Sequence, residues 1–310
     1  MTNESLKTSE NLVGIEISNS AFIAVCLDKN GNLLDSQTVS SNQLELNLPH
    51  LVDFIKELHQ SFGDFSRVGV AVPGLVRQDT KRVAFSTSIP EHTEVDLTSE
   101  IASLTGLAVT VENDANAAGY GEYKLGAGRG SRDMFYATLG KGVGGALIFN
   151  GEIWRGISGF AGEFGYISIN SDGMKLEDVA STTNIVRRTR SRFHQDSTSS
   201  LNQLREENIT LGDIIREAKN NDEFSQMMLR RTGFYVGTAI ASVINLLNVE
   251  KIVVGGEIMR ADNLVLDAII HRSRELSFAP SFEKSEIVKG ELGENAAAVG
   301  AALLSAELIS

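Results

Sequence analysis

Residues 12–28, "LVGIEISNSAFIAVCLD", form an apolar run, a turn of small polar residues and a second apolar run. The same design returns at residues 134–149, "MFYATLGKGVGGALIF", where the turn is rich in glycine. A further turn and a third strand follow each time: "KNGN" precedes "LLDSQTVS", and "NG" precedes "EIWRG". Asn-Gly between apolar runs is a strong hairpin signal, because both residues tolerate a positive φ. The chain therefore contains one hairpin-first unit twice.

Helical stretches follow both units. Residues 48–62, "LPHLVDFIKELHQSF", and residues 224–248, "FSQMMLRRTGFYVGTAIASVINLLN", carry apolar side chains at helical spacing. Short apolar strands recur at "RVGVAV", "AVTVEN", "KIVVGG" and "SEIVKGEL". We therefore predict an α/β fold with two similar domains that face each other across a ligand-binding cleft. The alternative is a single large α/β domain with unrelated hairpins.

Composition limits the class of protein. The 310 residues include 40 acidic and 28 basic side chains, a net charge of −12, which argues against a general partner of nucleic acid or anionic membranes. The first ten residues are polar, and no apolar run approaches the roughly 18–20 residues that span a bilayer. Cys26 is the only cysteine, so neither an internal disulfide nor a cysteine-based zinc site is expected. We expect a cytoplasmic protein without structural metal.

One polar pair follows a strand at a position suited to chemistry. In "VENDANAAGYGE", residues 111–122, Asn113 and Asp114 come directly after an apolar run and before a helix. Ligand groups gather at strand ends in α/β sheets, where an aspartate can accept a hydroxyl proton. The competing interpretation is that one of the two residues only caps the helix.

Two glycine-rich segments are candidates for phosphate or nucleotide contact. "TLGKGVGG", residues 138–145, predicts a hairpin whose backbone N–H groups approach phosphate oxygens closely. A nucleotide base or ribose would lie against Gly255 and Gly256 in "VVGG". Each signal is weak by itself, because many such segments are only tight turns.

Two glutamates lie farther along the chain. Glu163 is the acid of "GFAGEFGY", residues 159–166, and it either presents a carboxylate to a polyol or belongs to a loop that packs on the core. Glu177 in "KLEDVAS" starts a predicted helix, where an acid also complements the helix dipole.

These motifs, taken in order, resemble the ROK family of bacterial sugar kinases and sugar-responsive repressors. The resemblance rests on "PGLV", "VENDANAAGYGE", "TLGKGVGGALIFNGEIWRG", "GFAGEFGY" and "IVVGGEI", and it extends from residue 12 to the last helical segment, "ENAAAVGAALLSAEL". It implies the actin-like ATPase (ribonuclease H-like) fold. The implied domains are a smaller N-terminal one, 12–118 plus 297–310, and a larger C-terminal one, 119–296.

The resemblance also implies roles for residues. Asp114 corresponds to the base that takes the proton from the sugar 6-hydroxyl, and Asn113 to a sugar ligand beside it. Glu163 and Glu177 correspond to the glutamates that hold sugar hydroxyls. The implied nucleotide contacts, with a magnesium ion bridging phosphates, are the second phosphate hairpin (Gly140, Gly142, Gly144) and the adenosine segment (Gly255, Gly256).

The sequence departs from the family pattern on the sugar side and at its start. In "GYISINSDGMKLE", residues 165–177, Tyr166 replaces the family's histidine and no cysteine is present, so we expect no zinc and a sugar contact from the tyrosine hydroxyl. Ser88 stands where an asparagine is frequent and is predicted to contact the sugar. The residues before residue 12 are too few for the repressors' helix-turn-helix, so no nucleic-acid partner is expected.

The first phosphate hairpin departs further. Family kinases read D-x-G-G-T, whereas this chain has Glu16, Ile17, Ser18, Asn19 and Ser20. The Glu16 carboxylate could hold a magnesium-bound water, while both serines keep hydroxyl and N–H groups for phosphate. Asn19 tolerates a positive φ. Lys141 in the second hairpin either supplies compensating charge or is an ordinary solvated lysine.

These observations lead to a hypothesis of function. We expect a glucokinase-like, ATP-dependent hexose kinase that forms a homodimer and uses magnesium. One alternative is a non-catalytic sugar-binding or regulatory protein with a degenerate phosphate hairpin. Another is a kinase that uses polyphosphate as its donor.

Overall fold

The computed structural model describes residues 11–18, 20–40, 47–77, 80, 82–85 and 93–307. The chain divides into two units. The first comprises Met1–Gly126, Ile153–Ala161 and Glu294–Ser310, and the second comprises Ala127–Glu152 and Gly162–Gly293. The division assigns the short segment Ile153–Ala161 to the first unit, so it does not coincide residue by residue with the ranges predicted from the sequence.

The first unit is built on a mixed sheet with the strand order β3-β2-β1-β4-β7. Strand β1 is antiparallel to β2 and parallel to β4, and β4 is parallel to β7. The elements, in chain order, are β1 (Leu12–Ile17), β2 (Ala21–Leu27), β3 (Leu33–Ser40), α1 (Leu48–Phe62), β4 (Arg67–Val72), β5 (Leu75–Val76), β6 (Val83–Phe85), α2 (Leu97–Thr105), β7 (Ala108–Asn113) and α3 (Asp114–Leu125).

The second unit contains a sheet with the equivalent order, β10-β9-β8-β11-β12. Short 3-10 helices connect several of its elements. The strands and helices are β8 (Asp133–Leu139), β9 (Val143–Phe149), β10 (Glu152–Ile153), α4 (Glu177–Ala180), α5 (Thr182–Arg190), α6 (Leu211–Lys219), α7 (Glu223–Leu247), β11 (Lys251–Gly255), α8 (Asn263–Leu276), α9 (Ala279–Phe282) and β12 (Glu286–Lys289). The last helix, α10 (Ala296–Ala306), belongs to the first unit.

The two sheets confirm the repeat and the α/β class predicted from the sequence. In each sheet an antiparallel hairpin begins the unit, and the first strand of that hairpin pairs with a later parallel strand. The turn into β10 uses Asn150 and Gly151 at φ values of 50° and 85°, as the Asn-Gly signal requires. The alternative of unrelated hairpins in a single domain is wrong.

The predicted helices form close to the predicted residues. Helix α1 has the bounds that the pattern indicates, and Asn47 caps it by accepting a hydrogen bond from the His50 N–H at 3.1 Å. Helix α7 is shifted from its prediction by one residue at each end. Within the described ranges, no helix combines the length and the apolar character needed to cross a membrane.

Helix α10 packs directly on backbone atoms of the first unit. A Cβ atom at Gly14 in β1 would lie 2.0 Å from the Ala298 carbonyl oxygen. A Cβ atom at Gly300 would lie 1.7 Å from the Ala117 carbonyl oxygen in α3. Both distances are far below any contact that real Cβ atoms make, so these glycines allow the helix to approach a strand on one side and a helix on the other.

Replacement of Gly300 therefore tests this packing. We expect Gly300→Ala to lower the free energy of unfolding by about 2 kcal/mol or more, because the backbones of α10 and α3 must separate to admit the methyl group. Denaturant titration measures the loss. Gly212→Ala in α6 is the matched control, since its nearest neighbour would be the Thr210 Oγ1 at 3.5 Å. An equal stability of Gly300→Ala and wild type would contradict the packing argument.

Candidate functional site

The junction of β7 and α3 places Asn113 and Asp114 at the carboxyl end of a strand. The Asn113 side chain caps α3, since its Oδ1 accepts a hydrogen bond from the Asn116 N–H at 3.0 Å. Its Nδ2 donates to the Gly74 carbonyl oxygen and to Asp114 Oδ1, each at 3.0 Å. Asp114 Oδ1 also accepts from the Ala115 N–H at 2.8 Å. The capping interpretation is thus correct for Asn113, and the same bonds fix the orientation of the Asp114 carboxylate.

A buried ion pair supports this junction. Glu112, 5% exposed, accepts hydrogen bonds from Arg155 at 2.7 and 2.8 Å through Oε2. Its Oε1 accepts from the Asn113 N–H at 3.0 Å and from the Asn116 side chain at 3.1 Å. The sequence analysis did not predict the pairing of Glu112 with Arg155. Glu112 lies in "VENDANAA" and Arg155 in "EIWRG", and no local pattern pairs positions 43 residues apart. The pair anchors the segment that carries the candidate base.

Glu16, near the end of β1, faces the same region of the first unit. Burial, and then the charges of Asp114 and Glu294, raise the pKa of Glu16 to about 8. Two predicted site residues, Glu16 and Asp114, are thus close enough to interact. A divalent cation would relieve the repulsion between these carboxylates.

The carboxylates around Glu16 fit a magnesium ion only if other groups supply most of its ligands. Among the described residues, no group of three or more histidine, cysteine, aspartate or glutamate side chains is arranged to hold a metal ion. Magnesium usually keeps water ligands and binds through one or two carboxylates together with substrate phosphates. Glu16 and its acidic neighbours fit this mode, in which a nucleotide supplies the remaining ligands.

The first hairpin, between β1 and β2, closes through a side chain. Ser18 Oγ accepts hydrogen bonds from the Ser20 N–H at 3.2 Å and the Ala21 N–H at 2.9 Å. The same hydroxyl donates to the Ala21 carbonyl oxygen at 2.9 Å. The hairpin therefore forms without the family's glycines, and two N–H groups of the turn are directed at the serine hydroxyl. Asn19 lies outside the described residues.

The second hairpin joins β8 and β9 through Gly140, Lys141 and Gly142. The Gly140 N–H donates to the Gly142 carbonyl oxygen at 2.9 Å, and the Gly140 carbonyl oxygen accepts from the Thr182 N–H at 2.8 Å. The Lys141 side chain is exposed. Gly144 is not in the turn but in β9, opposite Thr138. The turn itself is therefore limited to the first two predicted glycines and the lysine between them.

Glu177 and Glu163 come together in the second unit. Glu177, the first residue of α4, accepts a hydrogen bond from the Val143 N–H at 2.9 Å, so its carboxylate stabilises the second hairpin. Glu163 precedes a 3-10 helix, Phe164–Tyr166. Partial burial, and then the charge of Glu177, raise the pKa of Glu163. The two predicted sugar-binding glutamates are thus neighbours.

The remaining predicted residues differ in their surroundings. Tyr166 is 62% exposed, and the Lys175 Nζ lies 3.8 Å from the centroid of its ring. A Cβ atom at Gly255 would lie 2.4 Å from the Tyr136 hydroxyl, and one at Gly256 would lie 2.4 Å from the Leu139 carbonyl oxygen. Packing against β8 therefore requires both glycines, whatever they bind. Ser88 lies outside the described residues.

Comparison with known proteins identifies relatives over almost the whole chain. The profile of the ROK family matches residues 12–307. A glucokinase of Halalkalibacterium halodurans is 30% identical over 93% of this chain and 92% of its own length. A xylose repressor of Bacillus subtilis is 28% identical over 93% of this chain and 75% of its own length.

A solved structure matches the fold. The ROK glucokinase of Streptomyces griseus, in complex with glucose and AMPPNP, superposes with a TM-score of 0.84 at 28% identity, covering 96% of this chain and 99% of that one. The predicted actin-like ATPase fold is thereby confirmed.

The buried ion pair gives the first prediction for the site. Arg155→Ala leaves the Glu112 carboxylate buried without its guanidinium, so we expect a loss of about 3 kcal/mol in the free energy of unfolding. Arg132→Ala is the control, because the Arg132 side chain is 76% exposed in its pair with Asp133 and should lose less than about 1 kcal/mol. Denaturant titration compares the two. Equal effects would show that the buried pair does not anchor the junction.

The raised pKa of Glu163 predicts a pH dependence. Below pH 4.5, the ordinary pKa of a glutamate, Glu163 is largely protonated in both the folded and the unfolded chain and causes no loss of stability. As the pH rises from there through the higher folded pKa, the unfolded chain releases the proton more readily, so stability falls. We expect Glu163→Gln to lack this fall.

The measurement is the melting temperature of the two proteins between pH 4 and pH 7. The difference between Glu163→Gln and wild type should grow as the pH rises. A difference that is constant over this range, or that shrinks, would contradict the raised pKa.

Proposed function

The chain belongs to the ROK family, and on that premise we propose that it is an ATP-dependent hexose kinase that transfers a phosphoryl group to the sugar 6-hydroxyl. One observation carries the proposal. Asp114 lies at the carboxyl end of β7, and its carboxylate is fixed through Oδ1 by Asn113 and by the Ala115 N–H. A carboxylate held in one orientation at a strand end suits a general base.

In the proposed reaction, Asp114 accepts the proton of the sugar hydroxyl as that oxygen attacks the terminal phosphorus. Asn113 orients the sugar while it caps α3. Phosphoryl transfer needs little covalent help from the protein, so most of the rate enhancement comes from positioning and charge stabilisation. The bonds from Glu112 to Asn113 and Asn116 therefore contribute to catalysis by keeping the base in place.

The second unit supplies the proposed sugar ligands. Glu163 and Glu177 accept hydrogen bonds from hydroxyls near the anomeric carbon, and Tyr166 contributes its hydroxyl. The pKa of Glu163, raised by partial burial and then by the charge of Glu177, supports this assignment, because two carboxylates placed together favour a ligand with several donors. Glu177 also fixes the Val143 N–H of the hairpin, so one side chain serves both the sugar and the phosphate region.

The proposed phosphate contacts come from both hairpins. Lys141 with the Gly140–Gly142 turn, and Ser18 with Ser20, would hold the phosphates of ATP, and Gly255 with Gly256 would lie against the adenosine. Magnesium held near Glu16 would neutralise the charge on the phosphates. The AMPPNP bound to the Streptomyces griseus relative supports ATP as the donor. The family also supports the further proposal of a cytoplasmic homodimer, and the lack of cysteine in residues 165–177 supports the proposal that it binds no zinc.

The alternative function is a non-catalytic sugar-binding protein. One observation favours it: the Ser20 and Ala21 N–H groups are directed at Ser18 Oγ, so they are engaged within the hairpin. The xylose repressor of Bacillus subtilis, a relative of comparable similarity, is a regulator and not a kinase by name. The presence of Asp114 supports the kinase instead, because a protein that only binds sugar has little need of a proton acceptor at that position.

The decisive prediction concerns Asp114. With magnesium and ATP, the wild type should release ADP in the presence of a hexose, and Asp114→Asn should lower that rate about 10²–10⁴-fold, because the proton acceptor is lost. A panel of glucose, mannose, fructose and N-acetylated hexosamines identifies the substrate. Asp53→Asn, an exposed aspartate of α1, is the matched control and should keep the wild-type rate.

Each other outcome has a definite meaning. If Asp114→Asn retains most of the turnover, Asp114 is not the base. If the wild type releases no ADP while glucose raises its melting temperature, the protein is a sugar sensor. If sugar phosphate forms only with polyphosphate, the donor is not ATP.

A further inference from the structure

A group of arginines lies on α5 and α7, with Arg192 two residues after the end of α5. Arg188 lies at its centre. Its Nη2 donates to the Val179 carbonyl oxygen at 2.7 Å and to Thr232 Oγ1 at 3.1 Å. Its Nε is buried and has no hydrogen-bond partner in the part of the chain that the structure describes. The guanidinium is therefore held in place by neutral groups only.

Further arginines surround this guanidinium. The Arg188 and Arg231 guanidinium carbons lie 5.4 and 5.7 Å from the centroid of the Tyr235 ring, and the Arg231 Nε donates to the Tyr235 hydroxyl at 2.9 Å. Arg192 and Arg187 are also near enough to act on Arg188. Burial is the largest effect, and it lowers the pKa of Arg188. Tyr235 acts in the opposite direction, and the positive charges of Arg231, Arg192 and Arg187 lower the pKa further.

Among the ion pairs of the described residues, none includes Arg187, Arg188, Arg192 or Arg231. This is unexpected in a chain with 40 acidic and 28 basic residues, because a partly buried guanidinium is normally paired. Arg187 instead donates to the Asn184 side chain at 2.7 Å. The cluster concentrates positive charge on an otherwise acidic protein.

We propose that Arg188, Arg192 and Arg231 form a binding site for a small phosphate-bearing anion. Guanidinium groups match the geometry of phosphate oxygens and form charge-assisted hydrogen bonds with them. Arg188 is held in position by Val179 and Thr232, while Arg192 and Arg231 are exposed and Arg231 also donates to the Tyr235 hydroxyl. The Tyr235 ring provides a flat support for two of the guanidiniums.

The site is connected to the second hairpin by one helix. Helix α5 begins at Thr182, whose N–H donates to the Gly140 carbonyl oxygen at 2.8 Å and whose Oγ1 donates to Glu257 at 2.7 Å. The same helix carries Arg187 and Arg188. A phosphate anion at the arginines would thus contact, through Arg188, the helix whose first residue bonds the turn at Gly140.

The test is calorimetric titration of the 310-residue chain with inorganic phosphate, in buffer whose ionic strength is held constant with sodium chloride. We expect wild type to bind phosphate, and Arg231→Gln and Arg192→Gln each to bind about tenfold more weakly or worse, because each loses a charge-assisted hydrogen bond. Two exposed residues are chosen so that folding is preserved, which the melting temperatures verify.

Arg230→Gln is the matched control. Arg230 is the adjacent arginine of α7, is exposed, and donates to Gln226 at 3.0 Å instead of contributing to the cluster. It should bind phosphate as wild type does. The proposal is overturned if wild type shows no phosphate binding at millimolar concentrations, or if Arg231→Gln and Arg192→Gln bind as tightly as Arg230→Gln. Phosphate bound at the nucleotide hairpins would give this second result.

A phosphate monoester, phenyl phosphate, distinguishes free phosphate from a phosphorylated metabolite. If the monoester displaces inorganic phosphate from the wild type but does not bind Arg231→Gln, the site accepts phosphorylated small molecules. Binding of inorganic phosphate that the monoester does not displace, and that still depends on Arg231, supports a site for the free anion.

Discussion

Direct contact between the backbone of α10 and its neighbours in the first unit is the constraint on which the site depends. Gly14 and Gly300 remove the side chains that would hold the helix away from β1 and α3. Glu16 lies at the end of that strand, Asp114 begins that helix, and Glu294 precedes α10. The packing of one glycine- and alanine-rich helix therefore helps to set how closely these three acids approach each other, and burial, followed by the charges of Asp114 and Glu294, raises the pKa of Glu16.

Local patterns in the sequence predicted much of this structure. The strands, both hairpins and the long helices follow from apolar periodicity and Asn-Gly turns, and the family motifs located Asp114, Glu163 and Glu177. The contacts that orient those residues were not predictable. The pairing of Glu112 with Arg155, and the hydrogen bond that the Val143 N–H donates to Glu177, depend on which segments the fold brings together, and a single sequence carries no record of such pairs.

The two hairpins are stabilised in a similar way, although their sequences differ. In the first, the Ser18 hydroxyl accepts backbone N–H groups of the turn. In the second, the Glu177 carboxylate accepts the Val143 N–H that follows the turn. In both hairpins a side-chain oxygen thus accepts backbone N–H groups and stabilises the turn, and in the first hairpin it does so where the family pattern has glycines. This explains how a turn without the family's glycines keeps its shape, and why the motif itself is a poor guide to its geometry.

The return of α10 to the first unit also has a consequence for biosynthesis. A ribosome makes β1 through α3 early, yet the helix that covers them is made only after Gly293, when every residue of the second unit has already been synthesised. The surface of the first sheet around Gly14 therefore stays uncovered during synthesis of the second unit, which can already collapse. The order in which the units are completed is therefore the reverse of the order in which they begin.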